Sequence, residues 1–238
     1  MSDLSIIIPC FNEEKNIDFL FKQIENLLDK EPKLEIIIVN NGSTDNSQTK
    51  ILSSNLYVDN KIKIINIKKN IGYGHGIMSG VKAASSKFIG WCHADLQTDP
   101  NDVYKAFIKY KEKLYNEKVI IKGKRIKRNL FDNFFTICMS IFASIVFQKL
   151  INDINAQPKI FSRLFLSFMN DYPSDFSLDL YLLVIAKKNF YKIINYDVEM
   201  KERIYEKSKG GGTLKGKLKL TLRTLIYIIQ LRKKLWNS

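Results

Sequence analysis

The first half of the chain alternates short apolar runs with segments of helical periodicity. Continuous apolar and β-branched runs predict strands at residues 5–9, 34–39, 63–67, 87–92 and 119–121. Apolar residues spaced three and four apart predict helices at residues 14–28, 46–54, 72–84 and 101–114. Because strand and helix alternate with short connections, we expect an α/β fold, with a Rossmann-like, mostly parallel sheet flanked by helices.

The second half has a more varied pattern. It predicts an apolar helix, a polar loop, a helix, a strand and a flexible basic loop, at residues 131–150, 153–161, 177–188, 192–198 and 207–212. A long helix is predicted at residues 214–236, with many Lys and Arg and with one apolar face formed by Leu218, Leu222, Leu225 and Ile229. Both apolar helices fit either a protein core or a membrane interface with anionic head groups.

Polar residues and glycines collect where the predicted strands of the first half end. These strand ends are residues 9–14, 40–45, 70–75, 93–99 and 123–128. Ligands of parallel sheets bind outside the carboxyl ends of the strands. The pattern therefore predicts a nucleotide or a similar polar ligand at this edge.

The net charge of +14 lies wholly in the second part of the chain. Residues 1–100 carry 11 Lys and Arg against 12 Asp and Glu, whereas residues 101–238 carry 27 against 12. This asymmetry indicates an anionic partner, either a nucleic acid, a phosphate-rich substrate or a membrane surface, unless it only reflects a lysine-rich composition. We expect no nucleic acid partner, since no helix-turn-helix, zinc finger or aromatic RNA-binding motif is recognisable.

The cysteines and the start of the chain indicate a cytoplasmic protein. Cys10, Cys92 and Cys138 are odd in number and widely spaced, which disfavours a disulfide framework or a zinc site. The first ten residues are interpreted as a strand and not as a signal peptide. The longest apolar run, residues 134–147, is too short for an independent membrane span.

The strongest chemical signal is the acidic segment HADLQTDP, residues 93–100, directly after a predicted strand. Carboxylates at a strand end can share a divalent ion with diphosphate oxygens, and Mg²⁺ or Mn²⁺ prefers such ligands. We interpret Asp95 as the metal-binding residue, and Asp99 before Pro100 as the cap of the next helix.

Four segments in order resemble the family 2 glycosyltransferases of the GT-A fold, especially the branch that transfers mannose or glucose to dolichyl and polyprenyl phosphates. They are SIIIPCFNEEKNI, IIIVNNGSTDNS, NIGYGHGIMSGVKAA and HADLQTDP. The resemblance covers about residues 4–130, and DINAQPKIFSR and SLDLYLLVIAK are similar to a bacterial subgroup. It implies an inverting enzyme of cell-envelope biosynthesis that uses Mg²⁺ or Mn²⁺ to move a hexose from a UDP- or GDP-sugar to a polyprenyl phosphate, at the cytoplasmic membrane face as a peripheral protein.

The resemblance also assigns roles to residues of this chain. Those implied to bind the nucleotide sugar are Pro9, Phe11, Glu13, Asn41, His93, Ala94, Asp95, Arg203 and Lys209. Those implied to bind the acceptor phosphate are Lys124, Arg125 and Arg128, and those implied to bind the metal are His93, Asp95 and Gln97. Residues 1–130 would form the donor-binding core, residues 131–212 the acceptor side of the same domain, and residues 213–238 a basic amphipathic helix.

The chain departs from the family pattern where negative charge is expected. Asn40 and Asn41 replace paired aspartates, and His93 replaces the first Asp of the DAD block. A neutral imidazole can still bind a metal, or it can hydrogen-bond the sugar or the diphosphate. These departures leave a non-catalytic nucleotide-sugar-binding protein as an alternative.

The acceptor decides which residues must be catalytic. A phosphate nucleophile is already anionic and needs no strong base, whereas a hydroxyl of a surface polysaccharide or lipopolysaccharide needs a carboxylate to take its proton. Asp179 is then the best candidate and Asp175 the next, although both also suit helix capping. Asp153 either positions the acceptor or holds its loop.

The glycines of residues 72–80 do not form a dinucleotide-binding fingerprint. The spacing of Gly72, Gly74, Gly76 and Gly80 differs from GxGxxG. We interpret these glycines as permitting tight helix packing and close approach of the backbone to a nucleotide. His75 is interpreted as a structural or donor-contact residue.

Overall fold

The computed structural model describes residues 3–126, 130–201 and 214–236. Its strands are β1 (Leu4–Cys10), β2 (Glu35–Asn41), β3 (Lys63–Ile67), β4 (Phe88–Trp91), β5 (Val119–Ile126), β6 (Lys159–Ser162) and β7 (Lys192–Glu199). Its helices are α1 (Ile17–Leu28), α2 (Ser47–Leu52), α3 (Asn55–Val58), α4 (Tyr73–Ala83), α5 (Pro100–Lys109), α6 (Lys111–Asn116), α7 (Leu130–Phe147), α8 (Leu178–Lys188) and α9 (Leu214–Trp236). A short 3₁₀ helix at Arg163–Phe168 follows β6.

The described strands form one mixed sheet in the order β3-β2-β1-β4-β6-β5-β7. The β1–β2, β1–β4, β2–β3 and β5–β7 pairs are parallel, and β6 is antiparallel to both of its neighbours. All described strands except β6 therefore point the same way, and β6 begins at the edge where the others end. This arrangement brings the residues before β6 to the same edge as the loops after β1, β2 and β4.

Both faces of the sheet are buried, which explains the continuous apolar runs of the central strands. Successive side chains point to opposite faces, so Ile7 and Ile6 belong to different cores. The first core includes residues of α4, α8 and α9, such as Ile77, Leu183 and Ile228. The second includes residues of α1 and α5. The expected mostly parallel α/β fold is confirmed.

One element of the sheet differs from prediction. The segment 153–161 was expected to be a polar loop, but Lys159–Ser162 is strand β6, between β4 and β5. Lys159 is fully buried although it is charged, because an ion pair and backbone carbonyls receive its ammonium. The strand was not predicted because it has only four residues and follows a run of polar residues.

Other boundaries shift less. β5 extends to Ile126, beyond the predicted residues 119–121. The helix predicted at residues 101–114 is divided at Tyr110 into α5 and α6. Asp99 caps α5 as predicted, with Asp102 completing a capping box.

Tight glycine packing is confirmed where α4 meets the sheet. A Cβ atom at Gly80 would lie 2.6 Å from a methyl carbon of Ile7 and 2.8 Å from one of Val39. A Cβ atom at Gly74 would lie 2.4 Å from the carbonyl oxygen of Pro173. Because Gly80 and Gly74 have no side chains, α4 can pack close to β1 and to the segment before α8. Close approach of these glycines to a nucleotide stays a prediction.

Candidate active site

The loops that follow β1 and β2 are joined by hydrogen bonds into one unit. The amide of Asn12 donates to Ser43 Oγ at 3.1 Å, and the amide of Glu13 donates to Ser47 Oγ at 2.8 Å. Asn12 Oδ1 accepts from the amide of Thr44 at 2.7 Å. The two loops predicted to contact the donor therefore lie side by side at the carboxyl edge, with Pro9 and Phe11 half-buried beside them.

Asn41 replaces an expected carboxylate and is buried, with 3 % of its surface exposed. Its amide nitrogen donates to the carbonyl of Gly72 at 3.0 Å, immediately before α4. A carboxylate could not donate this hydrogen bond, which accounts for an asparagine at this position. Contact of Asn41 with the base of a nucleotide stays a prediction.

His93 and Asp95 form a corner directly after β4. Asp95 is 4 % exposed, and its Oδ1 accepts from the amide of Gln97 at 3.1 Å. Asp95 Oδ2 lies 3.9 Å from His93 Nδ1. Leu96, buried between Asp95 and Gln97, has a left-handed φ of 62°. A non-glycine residue in this region costs about 1 kcal/mol or more, a strain that often marks functional turns.

Tyr73 connects this corner to the second half of the chain. Its hydroxyl oxygen lies 2.9 Å from His93 Nε2, 3.1 Å from Gln157 Nε2 and 3.4 Å from Asp179 Oδ2. The ring stacks on Phe176, with centroids 4.7 Å apart. Burial raises the pKa of Tyr73 well above its usual value, and the charge of Asp179 raises it further. The phenol therefore keeps its proton.

Asp179, one of the predicted catalytic residues, lies inside the protein in an ion pair. Its Oδ1 is 3.1 Å from Lys159 Nζ, and both side chains are almost fully buried. Gln157 Nε2 lies 3.2 Å from each of its carboxylate oxygens. Burial lowers the pKa of Lys159, and the adjacent Asp179 carboxylate opposes that shift.

A second buried lysine lies beside this pair. Lys122 Nζ donates to the carbonyl of Gly123 at 2.7 Å and to that of Asp153 at 3.3 Å. Burial, with a smaller contribution from the charge of Lys159, lowers the pKa of Lys122 to about 7. A neutral amine retains hydrogens for both carbonyls, so the site tolerates the loss of this charge.

Arg125 is held by Asp153. The amide of Arg125 donates to Asp153 Oδ2 at 2.7 Å and its Nε donates to Oδ1 at 2.8 Å. Burial alone would raise the pKa of the Asp153 carboxyl, but the hydrogen bonds and charge of Arg125 lower it. Asp153 thus orients the arginine that was predicted to bind the acceptor phosphate.

The remaining predicted residues lie at the rim or outside the described residues. Lys124 is exposed, with its Nζ 4.0 Å from Asp197 Oδ1. Gln97 is tied to Lys201, since its carbonyl accepts from the Lys201 amide at 3.1 Å and its side chain lies 3.5 Å from the Lys201 carbonyl. Ala94 is buried. Arg128, Arg203 and Lys209 lie outside the described residues.

The residues present fit a divalent cation that is completed by substrate. Within residues 3–126, 130–201 and 214–236, no group of three or more His, Cys, Asp or Glu side chains could hold a metal by itself. Mg²⁺ and related ions often use one or two carboxylates plus substrate phosphates and waters. His93 Nδ1 and Asp95 Oδ2, 3.9 Å apart, are close enough for one ion to contact both.

Sequence patterns missed several residues of this side-chain cluster. Tyr73, Gln157, Lys159 and Lys122 were not predicted, although Gln157 and Lys159 lie in the DINAQPKIFSR segment that carries part of the resemblance. Gln157 precedes strand β6, which was not predicted. Tyr73 is the first residue of α4, and helical periodicity does not distinguish it from other helix residues.

Residues 5–170 match the glycosyl transferase family 2. The chain belongs to that family. Among the relatives of this family 2 member, a dolichyl-phosphate β-glucosyltransferase of Trichomonas vaginalis is 29% identical, over 89% of this chain and 70% of its own length. A dodecaprenyl-phosphate galacturonate synthase of Rhizobium johnstonii is 29% identical over 42% of this chain. The chain spans only 30% of that second relative's length.

Solved structures share the fold at lower sequence identity. Glucosyl-3-phosphoglycerate synthase of Mycobacterium tuberculosis, in complex with Mn²⁺, UDP and glucosyl-3-phosphoglycerate, superposes with a TM-score of 0.70 at 15% identity. The match covers 96% of this chain and 79% of the synthase. A mannosyltransferase of Pyrobaculum calidifontis with GDP-mannose and Mn²⁺ gives 0.64 at 18% identity, over 88% of this chain and 59% of its own. The GT-A fold is thereby confirmed.

Proposed function

We propose that this family 2 glycosyltransferase moves a hexose from a UDP- or GDP-sugar to a polyprenyl phosphate, with inversion at the anomeric carbon. An oxygen of the lipid phosphate would attack that carbon as its bond to the diphosphate breaks, and the nucleoside diphosphate would leave. The names of the relatives that act on dolichyl and dodecaprenyl phosphates support this acceptor class.

The observation that carries the proposal is that both candidate bases are ion-paired. Asp179 is buried against Lys159, and Asp175 Oδ2 lies 2.6 Å from Arg223 Nη2. Each carboxylate is thus already engaged by a cation, and Asp179 also accepts from the side chain of Gln157. A phosphate nucleophile needs no proton acceptor, so the arrangement favours a phosphate over a hydroxyl group.

On the donor side, the loops after β1, β2 and β4 would bind the nucleotide sugar. Pro9, Phe11 and Glu13 line the first loop, and His93 with Asp95 would hold Mg²⁺ or Mn²⁺. When bound, the cation would neutralise charge that develops on the leaving diphosphate. Gln97, two residues after Asp95, would also contribute to binding the metal.

On the acceptor side, cations would bring a second phosphate close to the first. Arg125, oriented by Asp153, lies at the end of β5 with Lys124 beside it. An arginine guanidinium binds phosphate oxygens in pairs. We further propose that Arg128, Arg203 and Lys209 contribute positive charge there. Residues 1–130 would bind the donor and residues 131–212 the acceptor, with residues 213–238 as a basic helix.

A membrane surface would deliver the lipid acceptor. In the described part of the chain, no helix is long and apolar enough to span a bilayer. However, Ile137, Ile141 and Ile145 of α7 are 51%, 54% and 70% exposed, and we call these three residues the apolar stripe. On α9, Leu222 and Ile226 are also exposed. Apolar surface beside Lys and Arg suits peripheral binding to anionic lipid at the cytoplasmic membrane face.

The test is a transfer assay that pairs UDP- and GDP-hexoses with a polyprenyl phosphate in the presence of Mn²⁺. The proposal predicts labelled sugar in the organic phase, with no product from Asp95→Ala. Transfer only to a hydroxyl acceptor would show that the acceptor is not a polyprenyl phosphate. Nucleotide binding without any turnover would indicate the non-catalytic alternative.

A further inference from the structure

Three polar groups surround the phenolic oxygen of Tyr73, and two of them, His93 and Asp179, could accept its proton. The Tyr73 oxygen has a protonatable imidazole nitrogen of His93 at 2.9 Å, the amide nitrogen of Gln157 at 3.1 Å and a carboxylate oxygen of Asp179 at 3.4 Å. Gln157 can only donate through that nitrogen, and a carboxylate can only accept. Asp179 is the partner of Lys159 in a buried ion pair.

For a neutral imidazole, only one proton arrangement satisfies all three contacts. If Tyr73 donates to Asp179, then His93 must donate from Nε2 to Tyr73, and every short contact contains one hydrogen. If Tyr73 donated to His93 instead, its oxygen would face the Asp179 oxygen at 3.4 Å with no hydrogen between them. Two buried oxygens that face each other with no hydrogen between them repel, so the first arrangement is favoured.

This arrangement determines whether Nδ1 of His93, the ring nitrogen nearest to Asp95, carries a proton. A neutral imidazole protonated on Nε2 has a lone pair on Nδ1. Nδ1 lies 3.9 Å from Asp95 Oδ2, too far for a hydrogen bond. A metal-binding histidine usually donates its other ring N–H to a group that fixes its tautomer.

We propose that Tyr73 and Asp179 are positioning residues that hold His93 protonated on Nε2, so that its Nδ1 becomes a metal ligand beside Asp95. This inference rests on the proposed function, since it concerns the same diphosphate site. It explains how the chain replaces an aspartate of the family pattern with histidine and keeps a cation site. A nitrogen ligand also shifts preference away from Mg²⁺, toward Mn²⁺ and later transition metals.

The tautomer is measurable without substrate, because the chain has only two histidines. Long-range ¹H–¹⁵N spectra in alkaline buffer distinguish the two neutral tautomers, and His75→Gln assigns the second ring. We expect His93 to be protonated on Nε2 in the wild-type protein. Protonation on Nδ1 would overturn the proposal, whether or not any variant folds.

Tyr73→Phe tests the link to the metal. It removes the hydroxyl but keeps the ring that stacks on Phe176. We expect the Nε2 tautomer to lose its dominance and the affinity for Mn²⁺ alone, followed by broadening of the His93 signals, to fall about 10- to 100-fold. Tyr57→Phe, the same change at an exposed residue, should alter neither.

Two outcomes of this variant contradict the proposal. An unchanged tautomer would show that Tyr73 does not fix His93, and an unchanged Mn²⁺ affinity would show that His93 is not a ligand through Nδ1. The transfer assay is independent of these spectra. If transfer fails while the tautomer and Mn²⁺ results hold, the proposed function is wrong and the positioning role stands.

Discussion

The proposed donor and acceptor sides of the site are built from different interactions. Around the loops after β1 and β2, backbone amides bond to hydroxyl and amide groups such as Ser43, Ser47 and Asn12. Around β5 and β6, charged side chains are buried and paired, as in Lys159 with Asp179 and Arg125 with Asp153. Carboxylates of Asp45 and Glu14 also accept backbone amides between these loops, so the hydrogen bonds fix the loop backbones. The charged pairs on the other side fix side chains such as Arg125, which we propose binds the acceptor phosphate.

This difference leads to separate expectations for the two sides. Substitutions on the donor side should affect metal binding and turnover with little effect on folding. Substitutions among the buried charges of β5 and β6 should affect stability first, because each removes one partner of a desolvated pair.

The largest effect is expected for Asp95→Asn. Loss of the carboxylate that would hold the cation should lower kcat about 10³-fold, which corresponds to about 4 kcal/mol. The free energy of unfolding should change far less. Transfer rates and urea denaturation would be measured in parallel, with exposed Asp59→Asn as control. A rate within a few-fold of the wild-type value would remove Asp95 from the mechanism.

The next effect is expected for Lys159→Met. This variant leaves Asp179 buried without its cation, and removal of one partner of a buried pair costs about 3 to 5 kcal/mol. The free energy of unfolding from urea denaturation should fall by that amount. Lys192→Met, at an exposed position of β7, is the matched control and should behave as wild type. Equal stability of both variants would contradict the buried-pair account.

A pH effect is expected from Lys122. Its pKa of about 7 lies below the ordinary lysine value of 10.5, so between these values the unfolded chain binds a proton that the folded protein lacks. The contribution of Lys122 to the free energy of unfolding should therefore rise with pH in this window, by up to about 1.4 kcal/mol per pH unit. Lys122→Met should remove that rise, whereas Lys192→Met should retain it. A parallel pH dependence of wild type and Lys122→Met would show that Lys122 stays charged.

The smallest effect is expected for the apolar stripe. Ile141→Glu places a charge on the exposed face of α7 and should weaken binding to vesicles with anionic lipid about 10-fold, since it removes buried apolar area and adds repulsion. Vesicle sedimentation would measure this change. Val58→Glu, on an exposed residue of α3, is the control. Equal vesicle binding by the two variants would exclude α7 as the membrane contact.

The sequence patterns were most informative where local rules decide structure. Continuous apolar runs predicted β1 and β2, and Asp99 before Pro100 predicted the start of α5. The same local rules do not report long-range pairing. Lys159 and Gln157 looked like loop residues because the ion pair that buries Lys159 involves Asp179, twenty positions away in the chain.

The candidate site shows the same limit. Asp95 was predicted from its position after a strand, and its corner is present in the structure. Tyr73 gave no signal, because its importance comes from three neighbours that belong to β4, β6 and α8 or their adjoining loops. Such a meeting of elements follows from sheet order, which periodicity does not determine.

The most direct test of the central claim is a titration of UDP and GDP into the protein with and without Mn²⁺. If the edge after β4 gathers a diphosphate and its cation, Mn²⁺ should tighten binding of one nucleotide at least about 10-fold, or about 1.4 kcal/mol. Asp95→Asn should lose that gain. Nucleotide binding that is equally tight without Mn²⁺, or a gain retained by Asp95→Asn, would contradict the account.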